Sequence, residues 1–341
     1  MKFKHLLLIL LLPVSLNSPA QVASPEGLVH WLGFEEAMEL NENQPKAILI
    51  DFYTDWCGWC KKMMATTYSD PVIAGYINAN FYPIKFNAET RDSIHYNDTV
   101  YANQGVGKRP THDLAIQFLG GKLTYPTTLF LNNNFQFKLM VPGYLDLQQI
   151  EPLLVYTVEN VYFTTGYNDF KYYYDKAYHD TSAVRDTAHV NWLTLEDAIA
   201  KARKEPRKIV VVLQTKWCNG CKTMMNSTFN NPVIADYLNK EFYPVYFDAE
   251  SEDSLMFQGK LFVKNTQNGN MFHQFALAAT QFKLILPSVL FISPTEQVIT
   301  PVPYYMTPEN LEPVLNYFLN DKYTTEKWEE FRKKFEGKVV R

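Results

Sequence analysis

The chain has 341 residues, enough for two ordinary domains, and 47% of them are apolar against 20% charged. That balance excludes a disordered chain, and a net charge of -4 gives no basis for a nucleic-acid partner. The 22 Tyr and 23 Phe fit either large cores or adhesive surfaces and do not choose between them.

In chain order, Lys2 and Lys4 precede the apolar run Leu6 to Leu12, and Ser18-Pro19-Ala20 follows. Small residues ahead of a cut after Ala20 read as a secretory signal peptide over residues 1–20. An uncleaved anchor is the alternative, but the run is far shorter than the roughly 20 apolar residues that span a bilayer. No cysteine follows it, so a lipid anchor on Cys is excluded. The expected mature protein is periplasmic or secreted, not stably inserted in a membrane, and lives where disulfides persist.

"FEEAMELNE" (34–42) has helical amphipathicity, and "KAILIDFYT" (46–54) reads as a buried strand. From Gly58 to about Asn78 the spacing is helical, with a break near Asp70-Pro71. "FYPIKFN" (81–87) is a second strand. Between Glu89 and Pro110 lies an insertion, in which "IHYNDTVY" (94–101) forms a hairpin turning at Asn97-Asp98. "HDLAIQFL" (112–119) is a short helix. "TTLFLN" (127–132) and "FQFKLMV" (135–141) make a hairpin around Asn133-Asn134. "LQQIEPLLVYTV" (147–158) is a closing helix, and an aromatic-rich helix runs from about Tyr167 to Tyr178.

The same text then repeats at an offset of 161. "NPVIADYLN" (231–239) falls on "DPVIAGYIN" (70–78), "FYPVYFDAE" (242–250) on "FYPIKFNAE" (81–89), and Trp192 on Trp31. Pro287 falls on Pro126, and "LMFQGKLF" (255–262), turning at Gln258-Gly259, on the insertion hairpin. Two homologous α/β units follow, over 24–180 and 185–341, with the polar stretch His179 to Val190 as linker.

All four cysteines sit in two equivalent segments, "WCGWCK" with Cys57 and Cys60 and "WCNGCK" with Cys218 and Cys221. A strand that ends in Cys-x-x-Cys and opens a helix puts the first Cys at the helix N-terminus. Unpaired N–H groups and the helix dipole there stabilise its thiolate. The second Cys, one turn on, can attack a mixed disulfide formed by the first, which is thiol–disulfide exchange. Three plainer uses stand beside this one. A structural disulfide across so short a loop gains only about 2 kcal/mol, against about 4.7 for a 100-residue loop. A shared four-thiolate zinc site requires the two units to face each other. The motif can also be retained without activity.

The element order and these motifs resemble the thioredoxin superfamily. "WCGWCK" differs from thioredoxin's own motif only at Trp59, and similar motifs occur in exported bacterial thioredoxin-like proteins and in the C-terminal domain of the transmembrane thiol–disulfide interchange protein. The resemblance implies two tandem thioredoxin-like folds. Each has a central mixed β-sheet flanked by helices, with an extra hairpin insertion and a C-terminal helix. It implies cis peptides before Pro126 and Pro287, in Tyr125-Pro126-Thr127 and Leu286-Pro287-Ser288. It implies that Asp51, six residues before Cys57, and Lys85 on the neighbouring strand assist the proton step at Cys60. The plainer reading of Asp51 is a backbone cap, yet an isolated Asp in an apolar strand is costly without a use. In the second unit Val212 and Tyr246 stand at those two places, so the first unit is expected to be the main redox centre.

Trp56 and Trp217 flank the cysteines, and Trp59 inside the motif is expected to be exposed; with Tyr125 they form the expected substrate surface. Neither motif contains a His, which tilts the reading towards a reductant or isomerase rather than an oxidant. His112 and His273 read as helix caps. The resemblance implies client proteins with disulfides, a membrane electron donor as partner, and no cofactor or metal beyond the redox-active disulfides. The rival reading is a non-catalytic protein-binding or chaperone-like module whose cysteines stay oxidised.

Overall fold

The computed structural model describes residues 27–179, 189–264, 266 and 271–340. The expected signal peptide and most of the expected linker lie outside these residues. Among the described residues no helix is long and apolar enough to cross a membrane.

In the first unit, α1 (Phe34–Asn43) leads into β1 (Ala47–Tyr53), then α2 (Gly58–Ala65), α3 (Pro71–Asn80) and β2 (Phe81–Asn87). The insertion hairpin β3 (Ile94–Tyr96) and β4 (Thr99–Tyr101) follows. Then come α4 (Asp113–Leu119), β5 (Thr127–Leu131), β6 (Lys138–Pro142), α5 (Leu147–Val158) and α6 (Tyr167–Tyr178). The sheet order is β2-β1-β5-β6, with β1 parallel to β2 and antiparallel to β5. The second unit repeats this with α7 (Leu195–Lys204), β7 (Ile209–Gln214), α8 (Asn219–Asn226), α9 (Pro232–Glu241) and β8 (Tyr243–Asp248). It continues with the hairpin β9 (Leu255–Phe257) and β10 (Lys260–Phe262), then α10 (Gln274–Ala279), β11 (Ser288–Ile292), β12 (Val298–Pro303), α11 (Pro308–Leu319) and α12 (Trp328–Lys334). Its sheet order is β12-β11-β7-β8, the same topology.

Local chemistry sets these boundaries. The break near Asp70-Pro71 is where the Asp70 carboxylate accepts from the Val72 and Ile73 N–H groups, with Pro71 in the first helical turn. Asp70→Ala is expected to lower stability by about 1 kcal/mol, read as a shift of the urea midpoint at unchanged slope. The insertion hairpin turns on Asn97 and Asp98, both at positive φ, as two-residue hairpin loops require. His112 and His273 cap α4 and α10. Each accepts a backbone N–H at Nδ1 and bonds a carbonyl through Nε2. One boundary differs from the sequence reading. The strand expected from Phe135 begins at Lys138, because the Asn132 side chain and carbonyl accept the Phe137 and Phe135 N–H groups. That closes a wider turn, with Phe135 at positive φ.

Each sheet is covered on both faces. In the first unit Ile48, Ile50 and Phe52 pack under α1 and α4, while Leu49 faces Met63, Ile77 and Leu153 on α2, α3 and α5 and Tyr68 in the turn between α2 and α3. The second unit differs on one face. There Val210, Val212, Met224, Phe229 and Tyr305 share a single core with Val155, Tyr156, Phe170, Tyr173 and Tyr174 of the first unit. Helix α6 therefore leaves its own sheet and lies against α8, with the Phe170 ring edge-on to Tyr305 at 5.2 Å. The Asn310 amide donates to the Thr164 carbonyl at 3.0 Å across the same junction. A shared apolar core fixes the two units against each other more firmly than a polar contact could.

Candidate active site

Strand β1 runs into the loop that presents Cys57 as the N-cap of α2. Cys57 and Cys60 form a disulfide, and the Cys60 N–H points at Cys57 Sγ at 3.1 Å. Once the bond is reduced, the same first-turn N–H groups favour a thiolate on Cys57. Gly58 and Trp59 stand in solvent, Trp59 at 57% exposure. The Lys62 ammonium lies 4.7 Å over the Trp59 ring, and the Tyr144 ring is 5.5 Å away. Trp56 is also half exposed. Its indole N–H donates to the Glu89 carboxylate at 3.0 Å, and Arg109 stacks on its face at 3.9 Å. The Tyr125 ring meets Trp56 edge-on at 6.2 Å, which brings the cis Tyr125-Pro126 peptide beside the cysteine loop.

Behind this surface Asp51 is buried in β1. The Tyr68 hydroxyl donates to its carboxylate at 3.4 Å and lies equally far from Thr128 Oγ1. Burial pushes the Asp51 carboxyl up to about 7, against smaller downward pulls from the Tyr68 hydrogen bond and the Lys85 charge. Lys85 is the strand-register partner of Asp51, but no ion pair joins them. Its ammonium sits 5.2 Å over the Tyr53 ring. An ammonium half in solvent keeps its hydration there, whereas the Asp51 carboxyl is buried out of water. The expected Asp51–Lys85 pair is thus an Asp51–Tyr68–Thr128 cluster with Lys85 acting from a distance.

Cys218 and Cys221 form the second disulfide, with Cys218 as the N-cap of α8. Trp217 is half exposed, as Trp56 is. Here the polar cluster is gone as a set, since Val212, Phe229 and Val289 stand where Asp51, Tyr68 and Thr128 do. Tyr246, at the Lys85 place, is 42% exposed on the outer strand. The solvent side is altered too. Glu159, at the C-terminal end of α5, accepts the Asn219 N–H at 2.9 Å and the Gly220 N–H at 2.6 Å. Its Oε2 is 3.5 Å from Cys218 Sγ. The Tyr178 hydroxyl of α6 donates to the Asn219 carbonyl at 3.3 Å. Gly220, where the first unit has Trp59, is buried, and a Cβ there would fall well inside contact distance of the Glu159 carboxylate.

Residues 195–319 match a family model described as "Thioredoxin-like domain", and residues 15–147 match the model Thioredox_DsbH, described as "Protein of unknown function, DUF255". The chain belongs to the thioredoxin superfamily. Its two thioredoxin-type units share sheet order, cysteine placement and the cis-prolines Pro126 and Pro287. Solved structures similar to parts of the chain include a DsbH oxidoreductase at 15% identity (34% of this chain, 74% of that one, TM-score 0.25). A thioredoxin from Thermus thermophilus matches at 14% (38% and 86%, TM-score 0.29). The DsbD C-terminal domain of Neisseria meningitidis in the reduced form matches at 19% (36% and 92%, TM-score 0.25). Likenesses this partial carry no argument about activity. A search among curated proteins found no match.

The first thioredoxin-type unit therefore gathers Cys57, Cys60, Trp56, Trp59, Tyr125 and Pro126 around one loop, with Asp51 buried in the strand beneath it. Three residues of consequence escaped the sequence reading. Tyr68 and Thr128 were visible only as polar partners lost together with Asp51 under the repeat offset. Glu159 was visible only through Gly220, an unexplained glycine where the first unit has Trp.

Proposed function

We propose that this protein is an exported thiol–disulfide oxidoreductase acting on protein disulfides, with Cys57–Cys60 as its main redox centre. The observation that carries the reading is the first site itself. It is a Cys-x-x-Cys disulfide at a helix N-terminus with exposed Gly58 and Trp59, over a strand holding a buried carboxyl poised near neutrality.

As a reductant the dithiol form works in two steps. The Cys57 thiolate attacks a client disulfide, forming a Cys57–client mixed disulfide and expelling a client thiolate that takes up a proton. Cys60 then loses its proton to the ionised Asp51 and attacks Cys57 Sγ. The second client thiolate leaves, and the Cys57–Cys60 disulfide re-forms. Tyr68 positions the Asp51 carboxylate. Lys85 contributes a weak field that favours its ionised form. The cis Pro126 segment presents backbone to an extended client, and Trp56, Trp59 and Tyr125 offer apolar contact. Each turnover leaves the centre oxidised, so a reductase in an oxidising space requires an electron donor, here a membrane partner. The absence of His from the motif favours reductant or isomerase chemistry.

The covered second pair favours a supporting, protein-binding role for the second unit alone. Cys60→Ser tests the whole reading. A reduced variant mixed with a disulfide protein such as insulin is expected to accumulate a mixed disulfide on Cys57, seen on non-reducing gels and by peptide mass. Absence of that adduct, with Cys57 reactive to alkylation, contradicts the exchange mechanism.

A further inference from the structure

We propose that Glu159 is a carboxylate latch, supplied by the first unit, that withholds the Cys218–Cys221 disulfide from thiol exchange. The inference deepens the reading above, which makes Cys57–Cys60 the working centre, and explains why the second pair is not its equal.

A Cys-x-x-Cys helix activates its first sulfur because the N–H groups of the first turn are free to hold an anion. In the second unit that position is filled. The Asn219 and Gly220 N–H groups are both donated to Glu159, and its Oε2 lies 3.5 Å from Cys218 Sγ. An attacking thiolate must therefore approach Cys218 past a carboxylate. A Cys218 thiolate, once formed, keeps the Cys221 N–H at 3.1 Å, as Cys57 keeps that of Cys60, but it faces the carboxylate and finds the Asn219 and Gly220 N–H groups already donated to it. Both effects slow reduction and disfavour the reduced state.

The latch is held from behind. Helices α5 and α6 belong to the core shared by the two units, and Tyr178 adds its bond to Asn219. Glu159 is half-buried at the junction. Burial pushes its carboxyl up to about 7, against its two backbone hydrogen bonds and the Lys222 charge. With or without its proton, the group occupies the mouth of the site.

The arrangement is specific to this junction. The repeat offset places Asn320 at the Glu159 position and Trp59 at the Gly220 position. Gly220 is the residue that admits the carboxylate, since a Cβ would collide with it. At the first pair, a Cβ on Gly58 meets nothing within 4 Å.

The test follows each pair in the oxidised full-length protein during treatment with dithiothreitol. Its thiolate attacks one sulfur of a pair, the other sulfur leaves as thiolate, and the second thiol closes the cyclic disulfide of the reagent. The cysteine pair gains two electrons and two protons. Samples are quenched by alkylation, and both cysteine peptides are quantified by mass.

In the wild type Cys57–Cys60 is expected to be reduced well before Cys218–Cys221. Glu159→Ala is expected to speed reduction of the second pair by about 10- to 100-fold while leaving the first unchanged, the range of a one- to two-unit change in thiolate stability. The near-isosteric Glu159→Gln removes the charge with little change of shape. It provides the readout if the alanine variant loses its near-ultraviolet circular dichroism. A wild type in which both pairs are reduced at equal rates overturns the latch, as does a folded Glu159 variant with an unchanged second pair. Failure of the first pair to be reduced overturns the proposed function instead, and the Glu159 comparison still decides the latch.

Discussion

Cys57→Ser is expected to lower disulfide exchange with a client by about 10³-fold or more, because it removes the sulfur to which the proposed mechanism assigns the attack on the client. The Cys218→Ser, Cys221→Ser double variant is expected to keep exchange within about threefold of wild type, since its loss takes nothing from the first site's mechanism. The contrast rests on the faces of the two Cys-x-x-Cys helices. Around Cys57, Gly58, Trp59 and Lys62 are exposed; their counterparts Asn219, Gly220 and Thr223 lie against Glu159, Tyr178 and the rest of the junction. Single-turnover mixing of each reduced variant with a self-quenched disulfide peptide gives the rates directly. Equal losses in both variants would mean that the pairs act in series, contrary to the assignment.

Asp51→Val is expected to change how stability depends on pH. The Asp51 carboxyl is raised from an ordinary 3.8 to about 7 in the folded protein. Well below its ordinary value of 3.8 it is protonated whether folded or not and contributes nothing to the pH dependence. Between the two values the folded chain holds a proton that the unfolded chain has released, so each rise in pH costs stability. The loss is complete above about pH 7 and amounts to about 4 kcal/mol. Glu159, raised from 4.5 to about 7, adds a loss in the same direction over nearly the same window. The valine variant copies Val212 and removes the Asp51 share. Urea unfolding at pH 4.5 and pH 8 is expected to show the wild type losing more stability than Asp51→Val between the two conditions. Parallel losses would place the Asp51 carboxyl at an ordinary value. The same variant is expected to lose the rise in exchange rate through about pH 7, because Cys60 no longer has its proton acceptor.

Much of this molecule is legible in its sequence because its strands and helices are locally consistent. The run "AILIDFY" can only be a doubly covered strand, and Asp70-Pro71 caps and opens a helix by its own chemistry. The 161-residue offset then carries each assignment into the second half. The hairpin from Asn132 to Lys138 was misplaced because an Asn side chain bonding its own loop competes with strand pairing, and a β-rich sequence such as "FQFKLMV" hides that. Lys85 was legible as the register neighbour whose charge reaches Asp51, but its place over the Tyr53 ring was not. Strand register places two residues side by side, but hydration decides where a lysine ammonium goes. The junction was least legible. Helix α6 reads as an ordinary amphipathic helix, and nothing local says that its apolar face belongs to the next unit. Only the exchange of Trp59 for Gly220 marked a place where something comes close.

The most direct test of two unequal centres is a redox titration of the full-length protein in buffers of known potential, with alkylation and separate quantification of each cysteine pair. Cys57–Cys60 is expected to titrate near the thioredoxin value of about -270 mV, with Cys218–Cys221 more negative, below about -300 mV. Coincident potentials for the two pairs, or a first pair that also resists reduction below about -300 mV, would contradict the account.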